Sequence, residues 1–126
     1  MIAAGLGFRD GAEPADFIAA VEAALDAARL PHSALSRLAA PETKAAHAGL
    51  TEAAERLALP LTAVPLASMH ASAPGCATRS VRALALFGVP SVAEACALAA
   101  AGRDARLVQP RLALGPATCA LAEGGP

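Results

Sequence analysis

MIAAGLGFRDGA, residues 1–12, is the stretch that decides the fold. Its first part is a short apolar run that leads into a glycine-rich turn, which is typical of a buried strand. Pro14 then suits the first position of a helix, and apolar residues recur at helical spacing from Phe17 onward. We therefore predict a strand over residues 1–8 and a helix over residues 14–29.

The middle of the chain continues the alternation of strands and helices. Residues 33–40, partly apolar and closed by a proline, predict a second strand, and residues 61–66 predict a third. Between these two strands we predict a helix over residues 51–59, because Thr51 is a residue type that caps helices. Residues 66–78 show no periodicity and contain Pro-Gly, so we predict a long functional or mobile loop there.

The C-terminal half contains clear start and stop signals. Residues 79–87 predict a short helix that a Gly-Val-Pro segment ends. SVAE at residues 91–94 is a capping box, in which the serine hydroxyl and the glutamate side chain each bind a free backbone amide, and Gly102 suits the end of that helix. Residues 106–114 and 117–122 predict two final strands joined by a Gly-Pro turn.

Together these elements predict an α/β fold. Strands alternate with helices early in the chain, and a closing strand pair follows them. We expect a single three-layer domain over residues 1–126, with a mixed, mostly parallel sheet of about five strands and helices on both faces.

Composition excludes several classes of function. The 126 residues are 56% hydrophobic and 17% charged, with a net charge of −1, which excludes a disordered chain. There is no Trp or Tyr and no basic excess, so we expect no nucleic-acid partner. Prolines and a glycine break the longest uncharged segment, residues 57–78, and the N-terminus lacks a secretory pattern. We expect a cytoplasmic protein without a membrane partner.

Cysteines and histidines indicate neither a disulfide framework nor a metal site. The three cysteines are odd in number and widely spaced, and two of them, Cys96 and Cys119, lie among apolar neighbours as packing residues do. The three histidines lack ligand spacing, so we expect no metal. His70, Ser72 and Cys76 share the predicted loop and could form a base and nucleophile pair; the alternative is a surface histidine and an inert thiol.

The glycine turn does not have the pattern of a nucleotide site. The spacing Gly5, Gly7, Gly11 differs from that of dinucleotide-binding loops, and the Gly-Lys-Ser/Thr of ATPases is absent. The predicted second strand ends in Ala39-Ala40-Pro41, without the acid at its end that would bind a ribose. What remains is a tight turn at a helix N-terminus with Arg9 beside it, which favours an anion, carboxylates included. The alternative is that Gly5 and Gly7 only permit close packing while Arg9 pairs with Asp10 or another nearby acid.

Further polar residues follow other predicted strands. Thr43 and Lys44 come after the second strand, and Arg111 lies beside the last strand pair. Ligands collect at the carboxyl ends of strands in open α/β sheets, so Arg9 and Lys44 could face one crevice. The alternative is that each is an ordinary solvated charge.

A family resemblance rests on segments spread over the whole chain. They are Gly5-Leu6-Gly7-Phe8-Arg9-Asp10-Gly11, Glu42-Thr43-Lys44 with Ala54-Glu55-Arg56-Leu57, Gly88-Val89-Pro90-Ser91-Val92-Ala93-Glu94-Ala95, and Gly115-Pro116-Ala117-Thr118-Cys119-Ala120. In this order and spacing they resemble the cobalamin-biosynthesis family of CobE and the C-terminal domain of CbiG.

The resemblance implies a role in making the corrin ring of vitamin B12. In fused members, this domain belongs to a protein that opens a lactone on a cobalt-precorrin and releases acetaldehyde. The present chain begins at the family domain itself and so looks like the stand-alone form of the aerobic pathway. Our first hypothesis is an accessory or carrier module that binds a precorrin tetrapyrrole around the ring-contraction and deacylation stage. The alternatives are a hydrolase that opens the lactone of a (cobalt-)precorrin-5A-type intermediate, and a domain that docks onto other enzymes of the pathway.

The resemblance also implies a substrate site. Precorrins carry acetate and propionate groups around a flat macrocycle, so a binder needs amide and guanidinium donors beside apolar walls. The predicted substrate-binding residues are Gly5, Gly7, Phe8, Arg9, Thr43, Lys44, Arg111, Gly115 and Thr118. We expect no cofactor and assign no catalytic residue; the weak candidates for a base or nucleophile are Glu42, His70, Ser72 and Cys76. Phe8 stands where the family often has cysteine, which argues against a catalytic thiol in the turn.

Overall fold

The strands of the chain form one mixed sheet. In the computed structural model, which describes residues 1–126, they are β1 (Ile2–Phe8), β2 (Leu35–Pro41), β3 (Leu61–Val64), β4 (Arg103–Leu114) and β5 (Ala117–Gly125). Their order in the sheet is β3-β2-β1-β5-β4. β1, β2 and β3 pair in parallel, whereas β5 is antiparallel to both β1 and β4. The predicted α/β class and mixed sheet are confirmed.

Helices cover both faces of this sheet. They are α1 (Pro14–Ala28), α2 (Ala48–Leu57), α3 (Leu66–Ser72), α4 (Val81–Phe87) and α5 (Val92–Ala100). Phe17 and Val21 of α1 and Leu50 of α2 pack on one face, in a cluster with strand residues such as Leu38. Met69 of α3 and most of α5 form a second cluster on the other face. The chain is therefore a three-layer domain, as the alternation of its sequence predicts.

α5 lies unusually close to the central strand because the residues on both contacting surfaces have small side chains or none. Gly5 of β1 faces α5, and a Cβ atom at Gly5 would lie 1.9 Å from the carbonyl oxygen of Ala93 and 2.4 Å from the amide nitrogen of Ala97. No side chain fits between these backbones. Gly5 is thus a packing residue, which is the alternative that its sequence left open, and not part of an anion site.

Two local predictions are wrong. Residues 66–78 hold α3 and a 3₁₀ turn over Ala73–Gly75, where we expected a long loop. The helix escapes the periodicity test because it has only two turns and a single buried residue, Met69. α2 begins at Ala48, because its N-cap is His47 and not Thr51.

The cap of α2 depends on a distant contact. His47 Nδ1 accepts the amide of Leu50 at 3.4 Å, and His47 Nε2 contacts the carbonyl oxygen of Asp10 at 2.7 Å. Since Nδ1 is the acceptor, Nε2 donates to Asp10, and the glycine turn orients the histidine. Thr51 instead donates its hydroxyl to the carbonyl of His47 at 3.1 Å.

No single helix is long and apolar enough to cross a membrane; only α4 and α5 taken together, at 62° to each other, meet the length and composition criterion.

Candidate functional site

A cavity of about 290 Å³ opens at the edge of the sheet where β1 and β2 end. The carboxyl end of β1, the turn after β2, the hairpin between β4 and β5, α4 and the N-terminus of α5 surround it. Carboxyl ends of parallel strands meet at one edge of a sheet, and ligands collect at such edges. The cavity therefore lies where the topology favours a binding site.

Most of the residues predicted to bind substrate line this cavity. They are Gly7, Phe8, Arg9, Lys44, Arg111, Gly115 and Thr118. Gly5 is excluded because it is buried against α5. Thr43 is exposed in the turn after β2 and does not line the cavity. Arg9 and Lys44, which could face one crevice according to the sequence, both line it.

The charged residues of the cavity wall are all cations. Arg9, Lys44, Arg82 and Arg111 line it, and no Asp or Glu does. The three arginines form no salt bridge. Because the whole chain carries a formal charge of −1, this is a local concentration of positive charge. Such a concave, cation-lined surface attracts anions.

Lys44 is half-buried, as is Arg111, whereas Arg9 and Arg82 are exposed. The Lys44 Nζ donates to the carbonyl oxygen of Phe8 and lies 4.3 Å from the centroid of the Phe8 ring. The Lys44 side chain is 24% exposed, and its ion-pair partner Asp10, 3.8 Å away, is 98% exposed. Burial lowers the pKa of Lys44 below its usual range; Asp10 opposes this shift and Arg82 adds to it. An anion in the cavity would favour the charged form of Lys44.

Gly7 keeps the inner end of the cavity open. Thr118 lies opposite Gly7 in the antiparallel pair and donates its hydroxyl to the carbonyl oxygen of Gly7 at 3.1 Å. A Cβ atom at Gly7 would lie 2.8 Å from the Thr118 Oγ1 and 3.7 Å from the amide nitrogen of Ala93. A Cβ atom would thus crowd the threonine hydroxyl, whereas its contact with the first turn of α5 would be an ordinary one.

Another part of the wall is apolar. Phe8, Leu86, Phe87 and Val92 line the cavity beside the cations. The Phe8 ring is fixed by an edge-on contact with Phe17, with ring centroids 4.8 Å apart and planes at 83°. Leu86 of α4 is 62% exposed, so an apolar surface continues outward from the cavity. The site offers cationic donors beside an apolar surface.

Glu94 lies behind the wall, at the start of α5, and is completely buried. Its Oε1 accepts the amides of Ala77 at 2.8 Å and Thr78 at 3.0 Å, while its Oε2 accepts the Thr78 hydroxyl and the Arg111 amide, both at 2.9 Å. Burial by itself raises the pKa of the Glu94 carboxyl, but these four hydrogen bonds outweigh burial, and the pKa lies below its usual range. Glu94 is therefore a carboxylate.

Only one of the two hydrogen bonds of the predicted capping box forms. Ser91 Oγ accepts the amide of Glu94 at 3.2 Å, as expected. The Glu94 carboxylate does not return to the Ser91 amide, because it binds the four donors from two other segments.

The weak candidates for a base or nucleophile lie outside the cavity. Glu42 is exposed in the turn after β2, and His70 Nε2 contacts the carbonyl oxygen of Phe87 at 2.8 Å. Ser72 ends α3. The pKa of the Cys76 thiol is raised by burial and by Glu94, so Cys76 is not an activated nucleophile. No cluster of three His, Cys, Asp or Glu side chains could hold a metal ion.

Sequence reasoning missed the contribution of α4. Ser80, Arg82 and Phe87 line the cavity, and Ser80 caps α4 by accepting the amide of Ala83 at 3.2 Å. The sequence does carry the cap signal, a serine before an apolar run, but it has no signal that brings this helix to the end of β1.

Proteins of cobalamin biosynthesis resemble this chain. Residues 2–122 match the family described as cobalamin synthesis G C-terminus. The crystal structure of CobE, a protein from the cobalamin (vitamin B12) biosynthetic pathway, is 32% identical with a TM-score of 0.90, over 97% of this chain and 89% of that one. The cobalamin biosynthesis protein ChiG from Agrobacterium tumefaciens is 39% identical with a TM-score of 0.78, over 100% of both chains.

A more distant structure shares the fold alone. A homologue of cobalamin biosynthesis protein G from Sulfolobus solfataricus is 19% identical, with a TM-score of 0.73 over 96% of this chain and 36% of that one. No curated protein sequence is significantly similar to the chain.

Proposed function

The chain belongs to the cobalamin synthesis G C-terminal family, and from this premise we propose that its cavity binds a precorrin-type tetrapyrrole around the ring-contraction and deacylation stage, as an accessory or carrier module. The observation that carries the proposal is the wall of the cavity. It combines four cations with no acid, next to an apolar surface. The family places the chain in cobalamin biosynthesis, and the cavity suggests what the chain binds there.

The chemistry of the two partners is complementary. A precorrin carries acetate and propionate carboxylates around its rim, and Arg9, Arg82 and Arg111 can each bind a carboxylate through two parallel hydrogen bonds. Lys44 adds a charged donor fixed above the Phe8 ring. The apolar residues Leu86 and Phe87 can contact the macrocycle itself.

The size of the cavity favours a carrier that binds one part of its ligand over a protein that encloses the whole ligand. A drug-sized ligand is buried in pockets of roughly 300–1,000 Å³. The cavity, at about 290 Å³, is at the lower end of this range, and a tetrapyrrole is larger than such a ligand. The site can take one acidic edge of the macrocycle and leave the rest outside, where another enzyme of the pathway could act on it.

Titration with uroporphyrin, a tetrapyrrole with acetate and propionate side chains, tests the proposal. We expect the double variant Arg9→Ala with Lys44→Ala to bind about 10 to 100 times more weakly. A hydrogen bond to a charged group contributes roughly 1.5–3 kcal/mol, and we assign most of the loss to Lys44 because Arg9 is exposed. The control is Arg56→Ala with Arg106→Ala, which removes the same charge outside the cavity.

The control variant separates a site from a general charge effect. Equal weakening in both double variants would leave only nonspecific attraction between the protein and an anion. Unchanged affinity in a folded Arg9 and Lys44 double variant would refute the proposal. Circular dichroism checks that both variants are folded.

One observation favours the enzymatic alternative, a hydrolase that opens the lactone of a precorrin and releases acetaldehyde. The lowered pKa of Lys44 leaves a larger fraction of its amine unprotonated than in an ordinary lysine, and a general base must be unprotonated. Incubation of the protein with the lactone intermediate distinguishes the two functions. Catalytic release of acetaldehyde, abolished in Lys44→Met, would favour the hydrolase, and a stoichiometric spectral shift without product would favour the carrier.

A further inference from the structure

Glu94 is a buried carboxylate without a cationic partner. No Lys, Arg or His forms a salt bridge with it, and all four of its hydrogen-bond donors are neutral groups. Burial of a charge costs several kcal/mol unless its surroundings compensate for it. A capping box would need only a glutamate at the surface of the helix start. The burial of Glu94 therefore calls for an explanation beyond helix capping.

The donors of Glu94 come from two segments that carry cavity cations. The Arg111 amide is in β4, and the Arg111 side chain lines the cavity. Ala77 and Thr78 lie three and two residues before Ser80, the cap of α4, and α4 brings Arg82 to the same cavity.

α4 has few other anchors. Its only buried residue is Ala83, and Phe87 packs partly buried against the second core cluster. A backbone bond from the Ser80 amide to the Pro90 carbonyl and the contact of His70 with the Phe87 carbonyl hold its two ends. The carboxylate of Glu94 is thus a single group that ties the segment leading into α4 to β4.

We propose that Glu94 is a positioning residue for anion binding, which holds Arg111 and the segment that leads to Arg82 in the arrangement that a polycarboxylate needs. The inference rests on the proposed function of the cavity. Glu94 itself does not touch the ligand, because it is fully buried behind the wall. It acts through the backbone of Arg111 and of residues 77–78.

A change of Glu94 to glutamine distinguishes the hydrogen bonds to residues 77–78 from the hydrogen bond to the Arg111 amide. The amide NH₂ group cannot replace Oε1, because the Ala77 and Thr78 amides both donate there. It can replace Oε2, where the Thr78 hydroxyl can rotate to accept, but the Arg111 amide then loses its acceptor. Glu94→Gln is thus expected to keep residues 77–78 in place and to release Arg111.

Thr78→Val is the matched control. It removes one donor from the same carboxylate oxygen but leaves the Arg111 amide bonded. A merely structural role of Glu94 predicts that Thr78→Val and Glu94→Gln lower stability and affinity in parallel. A positioning role predicts that Thr78→Val lowers the melting temperature and leaves affinity within about twofold of wild type.

The test is a double-mutant cycle of Glu94→Gln and Arg111→Ala, titrated with uroporphyrin well below the melting temperature. We expect Glu94→Gln to weaken binding about fivefold to tenfold in the wild-type background and less than twofold in Arg111→Ala. Its effect on the melting temperature should be the same in both backgrounds. Equal weakening in both backgrounds overturns the inference, as does equal weakening by Thr78→Val.

Further outcomes keep the two proposals distinguishable. Absence of binding by the wild-type protein overturns the proposed function together with the inference, whereas wild-type binding with an additive cycle overturns only the inference. Should Glu94→Gln not fold, amide hydrogen exchange of the wild-type protein replaces it. If the hydrogen bond between Glu94 and the Arg111 amide favours binding, then binding must equally favour that bond. Uroporphyrin must therefore slow hydrogen exchange of the Arg111 amide. Unchanged exchange overturns the inference.

Discussion

Replacing Gly5 with alanine tests the close packing of α5 on the central strand. The new Cβ atom would lie 1.9 Å from the Ala93 carbonyl oxygen and 2.4 Å from the Ala97 amide nitrogen. Real Cβ atoms essentially never approach a neighbour closer than 3.0 Å, so α5 must move away from β1. Both obstacles are backbone atoms, which no rotamer change can remove.

The expected cost is at the upper end of that for overpacked cores. Overpacking typically costs about 1–3 kcal/mol, and we expect roughly 3 kcal/mol here because a whole helix has to shift. For a chain of this size this corresponds to a fall in melting temperature on the order of 10 °C. Since Ala93 also lines the cavity, the variant should bind uroporphyrin more weakly as well.

Gly11→Ala is the matched control for this variant. Gly11 lies in the exposed turn, and a Cβ atom there would have no neighbour within 4 Å. Both variants lose the same unfolded-state entropy, a gain of about 0.4–1 kcal/mol in stability, so their difference isolates the clash. Urea unfolding measures both. A free energy of unfolding for Gly5→Ala within about 0.5 kcal/mol of that for Gly11→Ala would refute the packing argument.

Three further predictions concern stability and thiol reactivity. Because the pKa of Glu94 is lowered in the folded protein, its contribution to stability is present above the unfolded pKa of 4.5 and is lost as the pH falls through the folded pKa. In urea titrations below pH 4.5, the difference in free energy of unfolding between wild type and Glu94→Gln should therefore narrow. A difference that widens in acid would contradict this. Burial raises the pKa of Cys96 and Cys119 to about 12, so a thiol reagent at pH 8 should label only Cys76 in the native protein and all three cysteines in denaturant, as mass spectrometry can count. Ser91→Ala should lower the free energy of unfolding by about 1–2 kcal/mol through loss of the α5 cap, and an unchanged value would show that the cap is not needed.

The fold could be predicted where its signals are local. Pro14 begins α1, and Phe17, one residue of its apolar face, is buried as the spacing predicts. Ser91 caps α5, and the Gly-Pro turn joins β4 to β5. Each of these signals acts within a few residues of the chain. α2 and α3 were misjudged because the first is capped by a histidine held from the glycine turn and the second is too short for a periodicity.

The candidate site could be predicted only in part. Arg9 and Lys44 were found because the carboxyl ends of parallel strands must meet at one edge. Gly5 has the same appearance in sequence as Gly7, and only the position of α5 shows that one glycine packs against a helix while the other keeps a cavity open. Arg82 was missed because its position depends on how α4 is anchored.

The sequence by itself determined the alternation of strands and helices, the capped starts of α1 and α5 and the family of the chain, because these depend on neighbouring residues and their order. Only the tertiary structure decided which charges meet. Glu94 binds donors 16 and 17 residues away in both directions along the chain, and the Lys44 amine reaches the carbonyl of Phe8 across 36 residues. Such contacts arise when the sheet brings separate segments to one edge, and no spacing within a segment records them.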